Sequence, residues 1–468
     1  MEDKNSLGKE RRKALFHTRK NAYDALEKQD EAAIEDYCTD YKAFLDEGKT
    51  ERECVEYTVA LAEKNGFRPY ERGQAIQSGD KLYRVNRGKA VMLAVVGEKP
   101  LSEGSRICAA HIDSPRLDLK QLPLYEDKEL AYLKTHYYGG IRKYQWVSIP
   151  LELRGVVVLG DGSTKQITIG ADLGDPVFTI TDLLPHLAAD QAKKPLGEAI
   201  AAEQLNLLVG SRPFKDDEGS DRVKLAILQL LNEKYGIVEE DFLSAELMAV
   251  PAMNAQDVGF DRSMIGAYGQ DDRVCSYAGL KALLDLDTAP ARTAVCMLAD
   301  KEEVGSMGTT GMKSAAFDAF ISDLCDAQQV PLKACYEKSF CLSADVTAAF
   351  DPNFPEVYER QNSANLNYGI CISKYTGSRG KSGASDASAE VVGFARSVFN
   401  ANNIPWQTAE LGKTDQGGGG TVAAYMADRN IDTLDAGVPV LSMHAPFEVV
   451  AKLDCYMTYK AVLAIYKS

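Results

Sequence analysis

Five segments of the chain end or begin in side chains able to hold a cation. RICAAHID ends in His111 and Asp113, and TAVCMLAD runs on through Asp300 into Glu302 and Glu303. SFCLSAD ends in Asp345, VPVLSMH ends in His444, and DDRVCSYAGLKALL opens with Asp271 and Asp272. The chain has only five histidines, and two of them stand at these ends. His17, His136 and His186 lie in ordinary surroundings, a charged helix, THYYGG and LLPHLAAD. Carboxylates gathered at one sheet edge repel one another unless cations neutralise them. Imidazoles and carboxylates without thiolate suit zinc, manganese or cobalt.

Spacing adds detail. Asp113 follows His111 by two residues on an extended segment, where it can accept the second ring N–H of a ligating imidazole. Glu302 and Glu303 are adjacent and point different ways. One can bind metal while the other faces a water as general base. Other motifs fail. There is no H-E-x-x-H and no G-x-S-x-G elbow, and GSRGKS lacks the first glycine of a phosphate loop, which falls on Tyr375. TDQGGGGTVAAY places four glycines, Gly418 among them, ahead of a helix. Such a backbone can approach a ligand closely and offer it N–H groups.

The elements that must position these residues follow from patterning. AYDALEKQDEAAIEDYCTDYKAFL and ERECVEYTVALAEKNG have helical spacing, with a stop at Gly66. KLYRVNR, AVMLAVVG and RICAAHID are short β-rich runs. From about 120 to 250, alternating segments such as WVSIPLELRGVVVL and KQITIG form a β-rich unit. Beyond 255, TAVCMLAD, SFCLSADVT and VPVLSMHAP are strands covered on both faces. SAAFDAFISDLCDAQ, SDASAEVVGFARSVFNAN and PFEVVAKLDCYMTYKAVLAIY are helices around them. This is α/β architecture, in which ligands bind beyond the carboxyl ends of the strands. The expected division is one discontinuous α/β domain, 1–118 and 252–468, with a β-rich insertion at 119–251.

Composition bounds the function. The 468 residues hold 53 Lys+Arg and 68 Asp+Glu, a net charge of −15, and 45% are hydrophobic. That excludes disorder and argues against nucleic acid or an anionic membrane as the main partner. No apolar run approaches the roughly 18 residues that span a bilayer. The charged start MEDKNSLGKERRKALF gives no sign of a secretory leader. Ten cysteines occur without a C-x-x-C pair, several inside apolar runs. They read as buried free thiols in a reducing compartment, so the expected location is cytoplasmic.

With these residues assembled, the sequence resembles the aspartyl aminopeptidase family of dinuclear zinc exopeptidases, metallopeptidase family eighteen. AAHIDSPRLDLK, GQDDRVCSYAGL, ADKEEVGSMGTTG, LSADVTAAFDPNFPE and VPVLSMHAPFEVV carry the resemblance, in the family's order. It implies a mixed-sheet exopeptidase domain with an inserted dimerisation domain, and dimers assembling to a dodecamer. It implies two divalent ions, zinc first and manganese or cobalt as alternatives. His111, Asp271 and Asp345 would hold one, and Asp271, Glu303 and His444 the other. Glu302 would be the general base and Asp113 would orient His111. The implied reaction removes N-terminal residues from peptides, with acidic residues favoured through a cation, Lys374, backed by Arg379 and Lys381. Relatives preferring neutral residues exist, so a broad aminopeptidase, a dipeptidase or a deacylase stays open, as does a non-catalytic assembly protein on the same fold. Two departures stand out. Relatives often have Asp-Asn where this chain has Asp271-Asp272. Eukaryotic relatives also supply a histidine from a neighbouring subunit, and Tyr144 falls near that position here, with His136 eight residues earlier.

Overall fold

A computed structural model describes residues 2–216 and 218–468. Three sheets organise them. The largest has nine strands, and its centre is parallel. There Thr293–Ala299, Ser105–His111, Phe340–Ser343 and Asp432–Gly437 run side by side in one direction. Ala299 pairs with His111, and Ser343 with Ala109, so the chain leaves three neighbouring strands at one edge. Every residue of Thr293–Ala299, Ser105–His111 and Phe340–Ser343 is buried. The continuous apolar runs in the sequence follow from that cover on both faces. Outer strands, some antiparallel, complete a mixed sheet.

Helices cover this sheet. Glu51–Lys64 starts at a capping box formed by Thr50 and Glu53. It ends one residue before Asn65, and Gly66 turns the chain with φ +83°. Gln270–Leu284 is buried along nearly its whole length and packs against Lys452–Tyr466. A Cβ at Gly279 would lie 2.8 Å from the Cys108 sulfur and 3.4 Å from that of Cys296. The missing side chain lets the helix settle on the sheet and fixes where its first residues, Asp271 and Asp272, stand. All ten cysteines are buried and unpaired.

A five-stranded sheet joins Gln256–Val258, Met264–Ala267, Glu448–Ala451, Pro439–Leu441 and Thr347–Ala348. It brings two distant parts of the chain together, since Ala267 pairs with Glu448. This corrects two sequence expectations. VPVLSMHAP is not a further strand of the main sheet; the chain quits that sheet at Gly437, where a Cβ would lie 2.0 Å from the Asp345 carbonyl oxygen. PFEVVAKLDCYMTYKAVLAIY is not all helix, because Glu448–Ala451 is a strand and the helix begins at Lys452. The β-branched Val449 and Val450 fit the pairing with Met264–Ala267.

Six antiparallel strands form the third sheet, in the order Thr164–Ile169, Leu151–Val158, Ala245–Pro251, Arg116–Asp127, Leu130–Tyr138 and Leu207–Gly210. The helix Arg222–Tyr235 packs on it through Val223, Ile227, Leu228 and Leu231 and stops at the left-handed Gly236. The β-rich reading of the sequence did not include this helix. Among the described residues, no helix is long and apolar enough to cross a membrane.

Candidate active site

Three strand ends of the nine-stranded sheet, one helix start and one turn of the five-stranded sheet converge. His111 ends its strand. Asp345 lies two residues beyond the end of Phe340–Ser343, and Glu302 and Glu303 lie in a short 3-10 turn just beyond Thr293–Ala299. Asp271 begins the buried helix, and His444 lies in the turn between Pro439–Leu441 and Glu448–Ala451. The Asp271 carboxylate is shared. One oxygen is 3.2 Å from His111 Nε2, and the other is 3.1 Å from His444 Nε2. Asp345 lies 3.9 Å from His111 Nε2, and Glu303 lies 3.6 Å from His444 Nε2. His111, Asp271 and Asp345 thus form one group with ligand atoms close enough for a single ion, and Asp271, Glu303 and His444 form a second. Glu302 reaches within 4.0 Å of His111 Nε2. The side chains of Glu302 and His444 are 17% and 32% exposed, more open than the other four, so the cluster faces solvent on their side.

Asp113 is buried behind His111. Its carboxylate lies 3.3 Å from His111 Nδ1 and accepts the backbone N–H groups of Glu302 and Glu303 at 3.0 and 3.2 Å. The His111 ring also lies 3.0 Å from the Asp113 carbonyl oxygen. Asp113 therefore orients the imidazole and the glutamate turn together.

Burial and mutual repulsion dominate the electrostatics. Burial, with the charges of Asp271 and Asp113 and against that of the histidines, pushes the Glu302 carboxyl up to about 7. The Glu303 and Asp345 carboxyls go well above the ordinary range, chiefly by burial. Burial works against a charged His444, yet Asp271 and Glu303 lift it to about 10. Glu303 Oε1 is buried with no hydrogen-bond partner. A divalent cation supplies what such a group lacks: a partner for the stranded oxygen and countercharge for the crowded acids. The donor set of imidazole and carboxylate fits zinc. Asp272 is also buried, and burial raises its carboxyl well above the usual range, which limits the extra negative charge expected from the Asp-Asp pair.

The other expected residues have local partners of their own. Lys374 Nζ is paired with Asp386 at 2.6 Å, and Lys381 holds the other Asp386 oxygen at 2.9 Å. Gly418 has φ +106°, and a Cβ there would lie 1.8 Å from the Gly377 carbonyl oxygen. The close approach that the glycine run permits is therefore to another backbone segment. Together these loops line a cavity of about 330 Å³ with Arg379, Lys381, Glu410 and Lys413. His136 is exposed, with its ring on the Tyr137 carbonyl oxygen, and Tyr144 is 40% exposed beneath the Arg142 guanidinium. Neither hydrogen-bonds to the cluster among the described residues.

Three contributors escaped the sequence reading. Glu448 accepts the N–H of Asp271 at 3.2 Å and that of His444 at 2.6 Å, clamping two segments of the cluster through one buried carboxylate. The Tyr138 hydroxyl donates to Asp113 at 2.8 Å, and the Gly140 carbonyl oxygen lies 2.8 Å from His444 Nδ1. Glu448 was hidden because its strand read as helix. The glycine pair after the THYY run was the signal for the other two.

A mixed sheet edged by two groups of imidazoles and carboxylates that share an aspartate and could each hold a cation, with a glutamate beside them, fits a metal-dependent hydrolase. A family model described as Aminopeptidase I zinc metalloprotease (M18) matches residues 44–466, and the chain belongs to that family. It is a metallopeptidase of the aminopeptidase class. The probable M18 family aminopeptidase 1 of Clostridium acetobutylicum is 49% identical over 452 residues, 95% of this chain and 97% of that protein. The crystal structure of the M18 aminopeptidase from Thermotoga maritima matches with a TM-score of 0.93 at 42% identity, covering 97% of this chain and 100% of that one. The crystal structure of aminopeptidase I from Clostridium acetobutylicum matches at 0.91 and 44%, with the same coverage.

Proposed function

We propose that the cluster holds two divalent cations, zinc in the first place, and that Glu302 moves the proton in removal of an N-terminal residue. The observation that carries this reading is Asp271, which turns one carboxylate oxygen toward each imidazole. His111 and Asp345 would complete one ion's protein ligands, and Glu303 and His444 the other's. Cations held there would supply Lewis acidity toward the scissile carbonyl and a water in the site. Glu302 stands on the open side, with its carboxylate 4.0 Å from His111 Nε2. From there it takes a proton from the attacking water and returns it to the leaving amine. Asp113 keeps His111 and the Glu302 backbone in register throughout.

For specificity, the loop bearing Lys374, Arg379 and Lys381 sets three cations against Asp386, which supports a preference for acidic N-terminal residues. The 2.6 Å pair between Lys374 and Asp386 favours a second reading, a preference for neutral residues, because that ammonium already has a partner. The segment 119–251 is proposed as an assembly domain. Its irregular stretch exposes Leu173, Leu183, Leu184 and Leu187, apolar side chains that a contact with another copy would cover.

The deciding assay uses two peptides identical except for N-terminal Asp or Leu. Each is tested with zinc, manganese or cobalt added and with a chelated control. Chelator-sensitive release of Asp faster than Leu supports the acidic reading. Faster release of Leu keeps the metal-dependent aminopeptidase and moves the preference to neutral residues. No cleavage of either with any metal removes the mechanism proposed here.

A further inference from the structure

We propose that Tyr138 and Gly140, at the end of the strand Leu130–Tyr138, are positioning residues for the two metal-binding imidazoles. Through them the six-stranded sheet holds both halves of the centre. The inference rests on the two-cation reading and adds residues outside the ligand set.

The His111 half is supported through Asp113. Oxygen Oδ1 of Asp113 is engaged by His111 Nδ1 at 3.3 Å and by the Glu302 N–H at 3.0 Å. Oxygen Oδ2 takes the Glu303 N–H at 3.2 Å and the Tyr138 hydroxyl at 2.8 Å. A carboxylate held on both oxygens cannot rotate, and the phenol adds a second donor on the oxygen turned away from the imidazole. The phenol is itself clamped. The Arg116 guanidinium lies 4.0 Å over the Tyr138 ring and is anchored by Glu51 at 3.1 Å and Asp118 at 2.8 Å. Arg116 and Tyr138 are also cross-strand partners.

The His444 half is supported by backbone alone. With the Gly140 carbonyl oxygen 2.8 Å from Nδ1, that nitrogen donates a ring proton, which would leave Nε2, on the side of Asp271 and Glu303, as the nitrogen to hold an ion. A Cβ at Gly140 would lie 3.3 Å from His444 Nδ1. At Gly139, which has φ +74°, a Cβ would lie 3.3 Å from both Cβ and Oε2 of Glu303. Two glycines in succession therefore let one strand end press on a ligand of the second ion and on the imidazole beside it. His111 is oriented by the carbonyl and carboxylate of Asp113 and His444 by the Gly140 carbonyl, and the supports behind both converge on three consecutive residues.

The test uses the full chain with Y138F and G140A, each variant standing alone. Zinc is titrated against a competing chromophoric chelator, and cobalt loading is followed by visible absorption. Y138F keeps the ring over Arg116 and loses only the donor. It is expected to weaken one of the two zinc sites by about 10-fold or more and leave the other within twofold. G140A is expected to weaken the other site by a similar factor, and the cobalt spectrum changes for one ion per chain in each variant. Thermal midpoints stay near wild type in Y138F, which separates positioning from loss of fold. Both affinities within twofold of wild type in both variants overturn this inference while the two-cation reading stands. A wild-type chain that takes up no zinc overturns both.

Discussion

Replacing Asp435 by Asn is expected to stabilise the chain at pH 8 and to change little near pH 4. Asp435 lies on the strand Asp432–Gly437 and pairs with Ser343 of the Asp345 strand. It is fully buried, accepts the Thr421 hydroxyl at 2.7 Å through Oδ1, and leaves Oδ2 without a hydrogen-bond partner. Burial pushes its carboxyl from 3.8 up to about 6, with the Thr421 hydrogen bond pulling the other way. The folded chain therefore keeps this proton up to about pH 6, whereas the unfolded chain releases it near 3.8. Between those values the folded state binds more protons, so stability declines as pH rises. The contribution is complete below the unfolded value and is lost as pH passes the folded one. At about 1.4 kcal/mol per pH unit, the rise is worth about 3 kcal/mol. The amide introduced by Asp435→Asn carries no such titration and keeps an acceptor for Thr421. The variant's advantage over wild type grows from near zero at pH 4 to about 3 kcal/mol at pH 8. For a cooperative unit of about 300 residues this moves the thermal midpoint by roughly 5 °C. Paired melts of both chains at pH 4, 6 and 8 read the difference directly. A variant that melts at or below wild type at pH 8, or with the same offset at pH 4 and pH 8, refutes the reasoning.

Glu302→Gln is expected to keep its metal content by elemental analysis while kcat falls by about 10² to 10⁴; near-normal turnover removes Glu302 as the proton carrier. Asp271→Ala takes the shared carboxylate from both ligand groups and is expected to cost both ions, so an unchanged metal-to-protein ratio counts against the bridge. Lys374→Met breaks the pair with Asp386 and is expected to lower kcat/KM for an N-terminal Asp peptide more than for a Leu peptide; an equal effect on both assigns Lys374 to loop structure instead.

Three of the four central parallel strands were legible because each is buried on both faces, and burial writes itself as a near-continuous apolar run; Asp432–Gly437 was not, because Thr433 and Asp435 interrupt its apolar residues. Their ends were legible for the same reason, since His111 and Asp345 interrupt or follow apolar residues that leave little room for chance. The five-stranded sheet was not. Its strands are two to four residues long, and Val449 and Val450 serve a helical period as well as an alternating one. Their pairing with Met264–Ala267 joins positions about 185 residues apart, information that no local window contains. Glu448 was lost with that strand. Lys374 was found as a residue type, but its partner Asp386 lies twelve positions away in a loop, and only coordinates show the pair. Gly140 acts through its carbonyl oxygen, a group that every residue carries and no sequence distinguishes.

The order of the site residues along the chain sets when the enzyme can exist. His111, Asp113 and the Tyr138–Gly140 strap are made first, Asp271, Glu302, Glu303 and Asp345 next, and His444 with its clamp Glu448 after all of them. The early strands can pair while the chain is still growing, but the second imidazole and the carboxylate that ties it to Asp271 have not yet left the ribosome. A half-made copy therefore lacks the second imidazole, the strand that pairs with Met264–Ala267 and the helix that covers Gln270–Leu284. The site as a whole is complete only once the residues from 444 to 466 are made.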